Sequence, residues 1–184
     1  MTLMGIVRIT LAAVVFMAFG AATVQADSIY ISIKGQKQGP FKGEALQKGA
    51  EGKIAGLKFR YELMSPRDPA SGLPTGKRQH RPVIITKEWG AASPQLFQAL
   101  ATNETLPEVV IDFVGVDPKT GAMALSHSLK LINASIADIS YSTEPIATGG
   151  VRQMEDVSFT FGRIELVDVR SNTMAMDSWI APVQ

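Results

Sequence analysis

The 184-residue sequence has no cysteine and only two histidines, His80 and His127. The first absence excludes disulfide frameworks, thiol nucleophiles, iron–sulfur clusters and thiolate zinc sites; the second excludes multi-histidine metal centres. Charge is also sparse, at 19% of residues with a formal net value of +1, so there is no basic tail for nucleic acid. Hydrophobic residues make up 46%, which argues against disorder. A chain of this length supports one domain with an unstapled core, since roughly two thirds of its unfolded surface is buried on folding.

The N-terminus stands apart. Met1 to Arg8 carries one positive side chain, Ile9 to Gly20 is apolar, and Val24-Gln25-Ala26 ends in a small residue. This is the pattern of a secretory signal peptide cleaved after Ala26, leaving residues 27–184 as a single domain without stable membrane insertion. The alternatives are an uncleaved anchor, which Thr10, Gly20, Thr23 and Gln25 make a poor span, or translation from Met17.

Beyond residue 27 the dominant period is two. Ile29, Ile31 and Ile33 alternate with Tyr30 and Ser32, and Leu57, Phe59, Tyr61 and Leu63 alternate with charged residues. Pro82 to Lys87 and Val109 to Val116 are β-branched runs, the second closed by a turn over Asp117 to Gly121. Further strands are expected at Ala122 to Leu131, Ala134 to Ser142 and Met174 to Ile180. In Asp156 to Leu166 the apolar phase slips after Phe161, which predicts a bulge at Gly162. One segment has a helical period: Ser93 as N-cap, Pro94 at the first turn, and a stripe of Leu96, Phe97, Leu100 and Ala101. Gly35 to Gly56, with six glycines, and Ser65 to Arg81, with three prolines and two glycines, read as long loops. The pattern predicts a mainly β fold, a sandwich or barrel of about eight strands with one short helix.

Chemistry is hard to find. In Ser126-His127-Ser128, adjacent strand residues face opposite ways, so the triplet offers no nucleophile and base pair. His80 has no acidic neighbour in sequence, and Glu104/Glu108 and Glu155-Asp156 are spaced for surfaces. Asp112, inside an apolar strand, is the unusual carboxylate, expected on a solvated or subunit-facing side of the sheet. No catalytic residue, cofactor site or metal site is assigned. Arg67, Lys77, Arg78, His80 and Arg81 form the densest basic cluster, with no aromatics interleaved for a nucleic acid.

The charge is unevenly distributed. Ser28 to Lys87 holds twelve basic and four acidic residues, whereas Glu88 to Gln184 holds five and twelve. Opposite halves of this kind suit self-association if the fold separates them, or pair internally if the strands interleave.

Several stretches together resemble the Hcp family, the haemolysin-coregulated tube proteins of type VI secretion. They are His80-Arg81-Pro82-Val83-Ile84-Ile85-Thr86-Lys87-Glu88, Ala92 to Leu100, Thr102-Asn103-Glu104-Thr105-Leu106, Glu155 to Glu165 and the closing Asp177-Ser178-Trp179. The resemblance implies a small antiparallel barrel of two sheets with one helix on its side, and no enzymatic activity. It further implies six copies in a ring and rings stacked into a tube, with sheath and spike proteins as partners and effectors as possible cargo. The loop Ser65 to Arg81 falls where the family carries a loop reaching the neighbouring ring, so Arg67, Lys77, Arg78, His80 and Arg81 become candidate stacking residues. Family members typically lack a signal peptide, because tubes assemble in the cytoplasm. The other reading is an exported β-sandwich binding module that uses loops 35–56 and 65–81.

Overall fold

The computed structural model describes residues 27–179, so the expected cleavage point at Ala26 and the last strand's Ile180 lie outside the described residues. From the N-terminal side the elements are β1 (Ser28–Gly35), β2 (Gly39–Pro40), β3 (Ile54–Gly56), β4 (Lys58–Arg60), β5 (Leu63–Met64), β6 (Gln79–His80) and β7 (Val83–Glu88). Helix α1 (Ser93–Ala101) follows, then β8 (Leu106–Val116), β9 (Met123–Pro145), β10 (Val151–Thr160), β11 (Arg163–Asp168) and β12 (Thr173–Ser178).

The ladders are antiparallel throughout. One sheet runs β1, β8, β9, β11, β12, with β2 and β3 also on β1; the other runs β9, β10, β7, β4. Strand β9 belongs to both. The two strands expected at 122–131 and 134–142 are one long strand, bent at Asn133, whose φ of 50 is a left-handed conformation that asparagine tolerates. On the opposite side β3 and β4 span from β1 to β7, one step apart at Leu57. The two sheets therefore face each other as a sandwich, and the closed-barrel form of the expectation does not apply.

The phase slip near Gly162 has a different cause from the one predicted. Strand β10 ends at Thr160 in one sheet and β11 starts at Arg163 in the other, so Gly162 is a corner between sheets. Its N–H donates to the carbonyls of Ile132 and Asn133 at the matching bend of β9. The bulges lie elsewhere, at Phe113/Val114 against β9 and at Ser158/Phe159 against β9.

The core fills the space between the sheets. Ile31, Ile33, Ile85, Val109, Ile111, Leu129, Leu131, Val157 and Phe159 are buried there, each contributing about 1.5–3 kcal/mol by transfer from water. Helix α1 turns Leu96 and Ala99 into this core, while Phe97, expected on the buried stripe, faces outward. Ser93 is not the N-cap. Ala92 takes that position, and the Ser93 hydroxyl is engaged in the interior instead. The Leu57 to Leu63 alternation survives at its middle, where Phe59 packs edge-on against Phe113 with ring centroids 5.0 Å apart and Tyr61 also packs against the core; Leu57 and Leu63 are exposed.

Neither long segment is an open loop. Residues 41–53 fold over the outer face of β1 and β8, where Ala45 and Ala50 cover Tyr30 beside Val114. Gly43 is needed there, because a Cβ at that position would collide with the Lys53 carbonyl. Segment 65–81 is a hairpin extended by the β5–β6 pair and by a bridge between Arg67 and Pro74. The opposite charges of the two halves pair within one subunit, because β1 lies on β8 and β7 lies on β10. Ion pairs Lys53–Asp112, Lys58–Glu144, Arg78–Asp177 and Lys87–Glu155 each join one half to the other.

Candidate functional site

The five candidate stacking residues separate into two groups. Arg67, Lys77 and Arg81 are exposed along the hairpin, although the Arg67 guanidinium is partly used, donating to the Gly72 carbonyl at 3.0 Å. Arg78 and His80 turn inward. Arg78 donates through Nε and Nη2 to both carboxylate oxygens of Asp177, the fork geometry that makes such pairs strong. His80 is buried among Tyr61, Phe161 and Trp179, with the Phe161 and Trp179 rings each 5.4 Å from its centroid.

His80 therefore does have an acidic neighbour, one that sequence distance concealed. Burial, with a smaller push from Asp177, raises the Tyr61 phenol, whose hydroxyl shares a hydrogen bond of 2.6 Å with His80 Nδ1. His80 Nε2 lies 3.2 Å from Asp177 Oδ2 but off the line of a well-formed hydrogen bond. The Arg78 hydrogen bond, against the effect of burial, holds the Asp177 carboxyl below its usual range. Tyr61, Arg78, His80, Phe161, Asp177 and Trp179 form a clasp between the hairpin's base and the end of β12. The Asp177-Ser178-Trp179 motif thereby acquires a structural role.

The other carboxylates also depart from the surface positions expected of them. Glu155 is fully buried; its Oε1 accepts from Lys87 Nζ at 2.8 Å and from the Ser93 hydroxyl at 2.6 Å, which locks α1 to β7 and β10. Asp112 is buried beneath segment 41–53, accepting from Lys53 Nζ and from the Ser128 hydroxyl at 2.8 Å each. Glu104 is buried at the turn after α1. Its Oε1 accepts the backbone N–H groups of Lys37 and Gln38 at 2.6 and 2.9 Å, and Oε2 accepts the Gln38 amide at 2.9 Å. Burial alone would raise this carboxyl, but the donors of Gln38 and Lys37 outweigh it and leave it lowered.

A pH dependence follows from Glu104 and Asp177. Both folded-state carboxyls lie below their unfolded values, so their stability contribution is complete above the ordinary carboxylate range and is lost as pH falls through the folded values. Urea unfolding midpoints should fall between about pH 5 and pH 3, and Glu104→Gln should flatten that slope. An unchanged slope would show that the cradle adds no pH-linked stability.

The Ser126-His127-Ser128 hydroxyls are directed elsewhere. Ser126 donates to the Phe113 carbonyl and Ser128 to Asp112, while His127 Nε2 lies 3.7 Å from Asp168 on the other face. Among the described residues no group of three or more metal-ligating side chains comes together, and no helix is long and apolar enough to cross a membrane.

Exposed apolar side chains include two groups that the sequence did not assign. Trp89, Phe97 and Tyr141 surround a cleft of about 490 Å³ beside α1, with Trp89 edge-on to Tyr141 at 5.1 Å. Met174 and Met176 are exposed on one face of the β11–β12 hairpin.

Comparison with known proteins decides the family. The family model described as type VI secretion system effector, Hcp, matches residues 30–167. The chain belongs to the Hcp family. The Major exported protein of Pseudomonas aeruginosa is 34% identical over 170 residues, covering 86% of this chain and 98% of that relative. Among solved structures, an Hcp protein superposes with a TM-score of 0.76 at 24% identity, covering 84% of this chain and all of the other, a likeness of fold. A secreted Hcp protein of Pseudomonas aeruginosa gives 0.69 at 29% identity, over 85% of this chain and 100% of that one. The expected resemblance and the mainly β fold are both borne out. Hcp proteins are structural, secreted components of type VI secretion, so the residues to explain are those that hold the fold and those it leaves exposed.

Proposed function

We propose that this chain is a ring-forming tube subunit of type VI secretion. Six copies close head to tail through residues 27–184, rings stack, and the tube meets sheath and spike proteins and carries effectors in its lumen. The observation that carries this reading is the Hcp match over residues 30–167. The exposed apolar areas support it, because a monomer that stays alone in water seldom leaves two such patches uncovered.

In stacking, the outward cations act and the inward ones do not. Lys77 and Arg81, with Arg67, are free to face acidic groups of the next ring, whereas Arg78 and His80 hold the hairpin in shape. Lys77→Glu/Arg81→Glu should leave single rings intact in negative-stain images and sharply reduce tubes formed at low salt, where exposed charges act most strongly. Tubes of unchanged length in that variant would remove the hairpin from stacking.

A further inference from the structure

The outer face of β1 and β8 carries a cluster of polar side chains away from the clasp and from the Lys87–Glu155 pair. Strand register sets its floor: Ser28 stands opposite Val114 and Tyr30 opposite Asp112, so all four share one face. Segment 41–53 folds over part of that face and leaves a cleft of about 560 Å³ between itself and the start of β9. That volume lies in the ordinary range for a small-molecule site, about 300–1,000 Å³.

The fold does not use all of the polar groups on this floor. Tyr30 is 6% exposed, yet its hydroxyl has no hydrogen-bond partner among the described residues. A buried phenol ordinarily finds one, and this oxygen is not sealed in the core but belongs to a side chain that lines the cleft. Ser28, two residues earlier on the same face, adds a second hydroxyl without a partner among the described residues. Lys53 Nζ gives one proton to Asp112 Oδ2 at 2.8 Å; its side chain is 31% exposed, and two protons remain for a further acceptor.

Donors outnumber acceptors around the cleft. Asp112 is the one carboxylate lining it among the described residues, is 8% exposed, and already accepts from Lys53 and from the Ser128 hydroxyl. The carboxylates of segment 41–53 are directed elsewhere: Glu51 accepts the Gly49 N–H of its own turn, and Glu44 lies against Gly90. Lys48 adds a second cation at the rim, while Val114, Met123 and Leu125 supply apolar walls.

We infer that this cleft is a binding site for an organic acid, a carboxylate on a compact apolar body. The carboxylate accepts from Lys53 Nζ and from the Tyr30 hydroxyl, hydrogen bonds strengthened by the ligand's charge, and the body lies on Val114, Met123 and Leu125. A free acid and the C-terminal residue of a peptide present this chemistry equally. Inorganic phosphate would use the floor alone and leave the walls uncovered. The site lies within one copy and does not depend on the ring reading.

Tyr30→Phe is the discriminating variant, because it removes only a hydroxyl that no described group of the folded chain engages and leaves the ring packed against Ala45 and Ala50. Isothermal titration of the full chain with phenylpropionate should show saturable binding. Phenylpropanol, which keeps the body and lacks the charge, and phosphate, which lacks the body, should each bind on the order of tenfold more weakly. Tyr30→Phe should unfold at the wild-type temperature and bind phenylpropionate on the order of tenfold more weakly. Ala124→Phe, which fills the cleft from its wall, should abolish binding with an unchanged near-ultraviolet circular dichroism spectrum. Acetyl-Ala-Phe tells the two sources apart: tighter binding than phenylpropionate assigns the site to a chain end, weaker binding to a free acid, and either upholds the carboxylate. No saturable binding of either acid would overturn the site. So would equal binding of phenylpropanol or phosphate, or equal affinity of the wild type and Tyr30→Phe.

Discussion

Lys87→Met should destabilise the protein by about 3–5 kcal/mol, the cost of leaving the fully buried Glu155 carboxylate without its cation. Domains of this size are stable by only about 5–15 kcal/mol, and about 1 kcal/mol corresponds to roughly 2–4 °C, so thermal unfolding should fall by about 10 °C. The loss is local in origin. Glu155 Oε1 also accepts from Ser93, and α1 turns Leu96 and Ala99 into the core, so the helix should be the first element to exchange its amides. The double replacement Lys87→Met/Glu155→Leu separates charge from packing. It should recover most of the loss, because two apolar side chains of similar volume leave no uncompensated charge. If Lys87→Met unfolds at the wild-type midpoint, the pair does not hold the helix.

Asp177→Ala should free the hairpin from the body of the protein. The substitution removes both oxygens that receive the Arg78 guanidinium, the charge-assisted fork that ties the hairpin's base to β12, and takes away the acidic neighbour of buried His80. Amide exchange between Leu63 and His80 should accelerate on the order of tenfold, since the β5–β6 pair and the Arg67–Pro74 bridge join the hairpin's arms to each other while the clasp ties its base to β12. Trp179 should become more accessible, because its ring packs on His80 and Phe161. Lys77→Ala, which changes an exposed residue outside the clasp, should alter neither reading. Unchanged exchange in Asp177→Ala would mean that the clasp does not set the hairpin's position.

The sequence carried the strand periods well and the corners poorly. Ile29, Ile31 and Ile33 alternate because β1 has the core on one face, and Val109 to Val116 with its Asp117 to Gly121 turn is a hairpin fixed by local chemistry. The bend at Asn133 and the step at Gly162 were not legible, because both follow from one chain passing between two sheets, a non-local arrangement with no period of its own. The same limit hid the charged clusters. His80 and Asp177 are far apart in sequence, as are Lys87 and Glu155, and only strand pairing brings them together. Asp112 was conspicuous from its apolar neighbours, but its partner Lys53 arrives on a segment whose glycines gave it the look of a free loop. The Asp177-Ser178-Trp179 tripeptide was legible as a family feature, and its role as the clasp needed coordinates. Phe97 marks the opposite case: its place in a helical stripe suggested burial, yet Leu96, Ala99 and the half-buried Leu100 already fill the inward side of α1.

Assembly remains the central claim, and native mass spectrometry of the full chain near physiological salt tests it most directly. The account predicts a hexamer as the dominant species, with stacked multiples of it at higher concentration. A strict monomer across the concentration range would contradict it.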